Sequence, residues 1–446
     1  MTTIPERCSP LFSKAIEIEM EHDGDNLYTF PLTSTGYVRR DAKKAMSQVN
    51  YRFVKEQLPE YEIYKMLREA FRGGNTHANR YYTNYTLNNV HSADRSSSYP
   101  DVMCNCKFPI SEFYRLGDIG YEEVVKMIGK RQKACIMRVA ITGLHLTRID
   151  WGCPYLSLSK CRHIENALED NGRIISADYL ETTVTDIDLK IILQEYSFTD
   201  IKFYDVATAR YGYLPTQLIK TICQYYHYKT ELKNVPGQEL LYMKSKNKLN
   251  SLYGMCAQDP VKQSILFIEN DFKEQNENEA ELLLAYNKKA FLAYQWGVWV
   301  TAWARYRLEE GIQLAHGDVN DPNAPQFVYC DTDSVKYLGE IDLEKFNRAR
   351  ILDSKRSGAF ATDPQGITHY MGVYEKEHDM CEFRTMGAKK YVYRETPDDK
   401  LVCTIAGVSK SLGGKELEEH GGITAFHEGF TFDKAGGLEA VYNDNP

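Results

Sequence analysis

The chain has 446 residues, of which 43% are hydrophobic, 26% charged and 12% aromatic. That is too apolar for wholesale disorder and long enough for two to four packed units rather than one. A formal net charge of −8 argues, as an average, against a nucleic-acid partner, whose phosphates need Lys and Arg, but a groove is local.

In chain order, the first sixty-odd residues carry mixed charge and a polar stretch, PLTSTGYVRRDAKK, ahead of a helix expected from about Val49 to Phe71. Turn chemistry follows at Arg72-Gly73-Gly74-Asn75, then a Tyr-rich, β-prone run reaching Asp94. From Ile110 to Leu218 short apolar runs such as ACIMRVAI alternate with polar turns, as in a mixed α/β insertion. A helix is expected over Gly237 to Gly254, and a charged loop, NDFKEQNENEAE, before a second helix from Ala290 to Ala315. In that second helix Trp296, Trp299, Trp303 and Tyr306 read as a buried stripe. An apolar strand, Gln326 to Tyr329, then enters a compact acidic turn.

The eleven Cys form no CxxC pair, and Cys104-x-Cys106 with Cys153, Cys161 and His163 lacks the usual zinc spacing, so reduced thiols are expected. No apolar run approaches a membrane span, and the start MTTIPERCSP lacks signal-peptide order, which favours a soluble, cytoplasmic protein.

Three strings carry chemistry. In Tyr329-Cys330-Asp331-Thr332-Asp333-Ser334, two carboxylates share the tip of a hairpin. Crowded carboxylates repel unless a cation lies between them, and Mg²⁺ suits a site with few protein oxygens and room for phosphate. A solvated β-turn is the plainer reading. An EF-hand is excluded, since the required glycine and later acidic ligands are missing. In Asp94-Arg95-Ser96-Ser97-Ser98-Tyr99-Pro100 an Asp closes a β-prone run, either as a third carboxylate or as a simple turn and cap. In the Gly237 to Gly254 helix, Lys246, Asn250 and Tyr253 fall at i, i+4 and i+7 on one face. That stripe can bind a triphosphate and stack under a base, or lie in solvent while Leu249 and Leu252 pack inward. Nearby Lys229, Lys233, Lys244 and Lys248 make the region locally basic.

In chain order the three strings resemble motifs A, B and C of family B DNA polymerases: DxxSLYP, Kx3NSxYG and YxDTDS. Phe71-Arg72-Gly73-Gly74 is similar to the YxGG motif of the branch holding protein-primed bacteriophage enzymes and their organellar and viral relatives. Thr301-Ala302-Trp303-Ala304-Arg305 is similar to its TxWAR helix, and Lys389-Lys390-Tyr391 to its KxY motif. The resemblance implies an α+β, right-hand architecture with an antiparallel-sheet palm, helical fingers, palm insertions and a short or partial thumb. By motif order it divides the chain into a lead-in (1–65), palm (66–105), an insertion resembling the priming-protein-binding region (106–218), fingers (219–258), an insertion resembling the strand-displacement region (259–295), palm (296–410) and partial thumb (411–446).

It also implies a template-directed DNA polymerase of viral or mobile-element replication, using two Mg²⁺ ions, with Mn²⁺ as a substitute. The catalytic set is then Asp94, Asp331, Asp333 and Lys246, with Asp94 and Asp333 the direct metal ligands. Tyr99, Lys229, Lys246, Asn250, Tyr253 and Gly254 are implied to bind the nucleotide, and Phe71, Gly73, Gly74, Ser97, Arg305, Lys389 and Tyr391 the DNA. The partners implied are primer–template DNA, dNTPs, a priming protein and a separate exonuclease subunit, with no membrane; for a viral chain the place is the bacterial host cytoplasm.

Two residues depart from the pattern. Ser98 replaces the Leu of SLYP, which is expected to weaken packing, and Phe71 replaces the Tyr of YxGG, losing a hydroxyl. Nothing before Phe71 resembles the acidic exonuclease motifs, so proofreading is expected to lie outside this chain. The alternatives are a catalytically incomplete DNA-binding polymerase core and an unrelated metal-dependent phosphohydrolase using the acidic turn. A P-loop nucleotidase is disfavoured, since GxxxxGK[ST] does not occur.

Overall fold

In this computed structural model, residues 26, 28, 29, 31, 33–130, 133–148, 151–268, 271–275, 277–317, 321 and 324–433 are described. Residues 1–25 of the lead-in and 434–446 of the expected partial thumb lie outside them.

Seven helices and five strands position the site. Helix α1 is Ser34–Ser47, α2 Tyr61–Ala70, α3 Ser98–Asn105, α4 Asp186–Glu195, α5 Thr216–Glu231, α6 Glu239–Cys256 and α7 Tyr294–Leu314. Strand β1 is Thr76–Ala78, β2 Val90–Arg95, β3 Gln326–Asp331, β4 Ser334–Leu338 and β5 Tyr374–Met380. The strands form one sheet in the order β1-β3-β4-β2-β5, antiparallel at every joint. The α+β class and the antiparallel sheet expected from the sequence are both present.

The pleat decides which side chains of this sheet meet which neighbours. Ala93, Phe327, Cys330, Val335 and Tyr337 share a buried cluster with Leu308 and Ile312 of α7. Val90, Val328, Tyr329 and Met380 instead pack with Phe383, from a four-stranded sheet made of Thr86–Leu87 and three strands within 382–405. The insertion from residue 108 to 212 folds around an eight-stranded sheet with its own core of Ile, Val and Leu side chains, so it is a unit that buries its own apolar face. Helices α1, α5 and α6 pack on one another and share the largest core with α2, α3 and α7.

Three sequence expectations change. The polar stretch before Val49 is helix α1: Thr33 accepts a hydrogen bond from the Gly36 amide as N-cap, and Val38, Ala42, Ala45 and Met46 are buried at helical spacing. Four Arg and Lys on its other faces, Arg39, Arg40, Lys43 and Lys44, disguised that stripe. The helix expected over Val49 to Phe71 is two, Tyr51–Lys55 and α2, parted around Pro59, which cannot donate a helical hydrogen bond. The charged loop is instead a hairpin, Ser264–Ile268 with Asp271–Gln275, followed by a helix, Glu279–Lys289, capped by Asn278. Helices α6 and α7 fall where expected; Trp296 and Trp299 are fully buried, Trp303 and Tyr306 partly.

All ten described cysteines are free thiols, and among the described residues no cluster of three or more His, Cys, Asp or Glu could hold a metal. Among them, too, no helix is long and apolar enough to cross a membrane.

Candidate active site

Asp94 is the last residue but one of strand β2, and β4 begins at Ser334, which pairs with Asp94 in register. The turn before Ser334 therefore delivers Asp333 next to Asp94, and the Arg95 amide donates to the Asp333 carbonyl at 3.0 Å. Thr332, with a φ of +60°, makes the turn tight enough for this. Asp331 does not point the same way as Asp333: its carboxylate accepts from Lys389 Nζ and, at 3.1 Å, from Thr76 Oγ1. One acidic turn thus serves two neighbourhoods.

Burial pushes the Asp94 carboxyl up to about 7, with the Asp333 and Glu377 charges adding to it. Burial likewise lifts Asp333 to about 6, against the pull of Arg95 and with a push from Asp331. Glu375 faces Asp94 across the β5 register, so this edge of the sheet is crowded with negative charge. Lys336 is buried beneath it, its Nζ donating to Ser92 Oγ at 3.3 Å and its pKa lowered by that burial. Two half-buried carboxylates short of positive charge fit a divalent cation, and two ligands rather than a full cage leave coordination positions for phosphate oxygens and water.

That electrostatic shortage has a sign. A carboxyl whose pKa is raised on folding favours the fold most below its unfolded pKa near 4, and this contribution is lost as pH rises through about 6 to 7. Without divalent metal, stability should fall over that window, and Mg²⁺ should raise the melting temperature more at pH 8 than at pH 5. A melting temperature indifferent to Mg²⁺ at both pH values would count against a cation site here.

After Asp94 the chain turns sharply: Ser97 adopts a left-handed conformation at φ +49° and α3 begins. Arg95 points inward, its guanidinium donating to Ser98 Oγ at 3.1 Å and to Asp101 at 2.5 Å, both groups buried. Ser98 is therefore no simple loss of packing; its hydroxyl helps hold a buried cation. Tyr99 leaves α3 towards α6 and stacks on Tyr253, ring centroids 4.1 Å apart and 22° from parallel. Burial raises Tyr99 to about 12, so it is a neutral phenol.

Helix α6 presents Lys246, Asn250 and Tyr253 as its spacing implies, with Leu249 and Leu252 buried behind them. From α5, Lys229 donates to Ser97 Oγ at 3.2 Å; burial, then the Lys246 charge, lowers it to about 8. A cavity of about 670 Å³ is lined by Asp94, Ser97, Tyr99, Lys229, Lys246, Asn250, Tyr253, Gly254 and Asp333. Lys233, Tyr242, His369 and Glu375 line it too; Lys233 showed only as part of a basic region, and no spacing pointed to the others.

The other assigned residues lie around the acidic turn. Lys389 is exposed, its amide donating to Tyr329 Oη at 2.9 Å, and the Tyr391 ring sits 5.1 Å from that of Tyr329. Phe71 caps α2 and packs on the main core. Gly73 is exposed, whereas a Cβ on Gly74 would lie 2.8 Å from Thr332 Cγ2 and Oγ1. Gly74→Ala should push Thr332 out of the turn, with a stability cost of about 1–3 kcal/mol by thermal denaturation. Gly73→Ala, which meets nothing within 4 Å, is the control; equal costs for the two would remove the steric reading.

Arg305 is a correction. It was assigned to DNA, yet it is 3% exposed. Its guanidinium donates to Asp188 at 2.6 Å, Tyr155 Oη at 2.9 Å and the carbonyls of Arg72 and Gly73 at 2.5 and 2.9 Å, so it is spent on the protein interior rather than presented to a phosphate.

A family model described as DNA polymerase type B, organellar and viral, matches residues 38–293. The DNA polymerases of Bacillus phages Nf and B103 are each 23% identical to this chain, covering 83% of it and 59% of their own length. The chain thus spans about three-fifths of the length of the curated relatives it matches. Phi29 DNA polymerase complexed with primer-template DNA superposes with a TM-score of 0.65 at 18% identity, covering 92% of this chain and 65% of that one. Its ternary complex with incoming nucleotide substrates gives the same score and identity over 96% and 70%. The shared feature is the right-hand fold.

Proposed function

Because the chain belongs to the organellar and viral type B DNA polymerase family, we propose that it extends a DNA primer on a template, adding deoxynucleotides to the 3′-hydroxyl and releasing pyrophosphate. The observation that supports this best is convergence: residues far apart in sequence, Asp94 and Tyr99, Lys229 and Lys246, Asn250 and Tyr253, and Asp333, line one cavity. A phosphohydrolase using the acidic turn has no need of the Lys246 face or of Tyr99.

Two Mg²⁺ ions held by Asp94 and Asp333 would supply the positive charge that lowers the pKa of the primer hydroxyl and stabilises the leaving pyrophosphate. The chain's own groups do the rest. Lys246 and Lys229 take the triphosphate; burial makes Lys229 a weak ammonium until that charge arrives. The primer hydroxyl releases its proton to solvent, its oxygen attacks the α-phosphorus as the bond to pyrophosphate breaks, and Lys246 donates the proton that the leaving oxygen needs. Tyr99, fixed by its stack on Tyr253, lies under the sugar, and Asn250, Tyr253 and Gly254 border the new base pair. Lys389, drawn to Asp331, and Tyr391 hold the primer end; Phe71, Gly73, Gly74 and Ser97 lie along the DNA path. The template carries the sequence information, and the protein contacts backbones. A priming protein and a separate exonuclease subunit complete the set of partners, and the phage relatives make the host cytoplasm the proposed place of action.

The test is primer extension by the purified chain with Mg²⁺ and dNTPs. Template-dependent addition supports the proposal; metal-dependent binding of primer–template without addition would instead mark a catalytically incomplete core. If Tyr99 is the sugar contact, Tyr99→Val should raise ribonucleotide use relative to deoxynucleotide use by roughly 10- to 200-fold. An unchanged ratio in single-nucleotide insertion assays would remove Tyr99 from that role.

A further inference from the structure

The hairpin of Phe360–Thr362 with Thr368–Tyr370 packs on α5 and carries His369 to the wall of the cavity that Asp94, Lys229 and Lys246 line. Asp363 opens its turn, and its carboxylate accepts from the Gln365 and Ile367 amides at 3.0 and 2.9 Å and from His369 Nε2 at 2.8 Å. A carboxylate only accepts, so the Nε2 proton belongs to this bond and the ring is fixed. The other edge of the ring, Nδ1, lies 3.6 Å from Glu375 Oε1. Acceptor oxygens on both sides call for a proton on each nitrogen, which makes the ring a cation lodged between two carboxylates.

Glu375 is the group that needs explaining. It lines the same cavity, its strand position pairs with Asp94, and its charge is felt at Asp94 and Lys229 alike. A carboxylate there repels the triphosphate that Lys229 and Lys246 attract. The hairpin from Phe360 to Tyr370 holds no Lys or Arg, so His369 is its one source of positive charge. We infer that His369 is a positioning residue for nucleotide binding: anchored by Asp363, it pairs with the Glu375 carboxylate and screens that charge from the triphosphate. The inference rests on the polymerase reading above and adds to it a group that acts through Glu375 rather than on the substrate.

The test measures binding of the next correct dNTP, with Mg²⁺, to the full chain on a primer–template whose primer ends in a dideoxynucleotide, so that binding is read without chemistry. Wild type, His369→Ala, Glu375→Gln and the double variant are compared, with melting curves as the check on folding; His369→Gln replaces His369→Ala if the latter melts early. Glu375 is exposed, so the pair is partly screened by solvent, and the expected loss of dNTP affinity in His369→Ala is about three- to tenfold. Glu375→Gln should restore the affinity in the double variant and improve it by less in the wild type. A residue that merely supported the fold would lose affinity without that rescue. The inference alone is overturned if wild type extends ordinary primers but His369→Ala binds dNTP as wild type does, or if Glu375→Gln leaves the loss unrepaired. A wild type that binds dNTP without extending a primer overturns the polymerase reading, and the variants still decide the inference; one that does neither overturns both.

Discussion

Asp333→Asn should abolish primer extension, and the same change at Asp94 should do so equally, each lowering the single-turnover rate by roughly 10³-fold or more. The size follows from the several kcal/mol of charge stabilisation that a metal supplies to phosphoryl transfer. The structure adds a less obvious expectation. The Asp333 charge raises the cost of charging Asp94, a repulsion that is mutual by Coulomb's law, and burial is the larger cause for both carboxyls. Neutralising either one relieves the other, so both variants should melt no lower than wild type in metal-free buffer at pH 8, while losing the Mg²⁺-dependent rise. Activity and stability would then move in opposite directions, as expected of groups held in an unfavourable setting for function. Asp331→Asn should behave differently. Its carboxylate is matched by Lys389 and Thr76, so the change should weaken primer binding more than it slows chemistry. A destabilised Asp333→Asn, or one that still extends primers, would refute the two-carboxylate site.

The residues that meet in the cavity were legible in the sequence because their placement depends on local geometry: a strand end, a two-residue turn, and a helix face with spacing of four and three. The Lys246 stripe held because helical periodicity fixes faces regardless of what packs against them. What escaped was whatever depended on partners distant in the chain. Nothing in VYEKEHDM marks Glu375 as the register neighbour of Asp94, 281 residues away, because strand pairing is not written in either strand alone. Helix α1 was hidden by its charged faces, and the acidic run after Asp271 looked like solvent because its pairing partner, Ser264–Ile268, lies before it. Ser98 looked like a weakened packing position until the buried guanidinium of Arg95 accounted for its hydroxyl.

Arg305 shows the same limit most sharply, and its loss should be the largest stability change in the molecule. Asp188 lies in the first turn of α4 in the insertion; burial would lift its carboxyl, but the Arg305 and Arg72 charges overcome this and hold it down to about 2. Arg72 in turn donates to the Thr183 carbonyl at 2.8 Å and to Thr182 Oγ1 at 2.7 Å. The 70–74 loop is thus fastened on one side to α7 and on the other to the insertion, and Gly74 is left pressed against Thr332 of the acidic turn. Arg305→Ala strands a buried carboxylate and frees two carbonyls, for an expected loss of about 3–5 kcal/mol in denaturant unfolding. Arg305→Lys should recover part of this only, since one ammonium cannot span Asp188 and both carbonyls. Removing both charges with apolar side chains, Arg305→Met with Asp188→Leu, should be milder than Arg305→Ala alone, because no ion is left unpaired. The pH dependence follows from the depressed carboxyl: its stabilising contribution is present above the unfolded pKa near 4 and lost as pH falls towards 2, and Arg305→Ala should flatten that acid limb. Primer extension by Arg305→Ala should also fall, through the loosened loop beside Thr332. A variant as stable as wild type, with altered DNA affinity alone, would return Arg305 to the DNA surface.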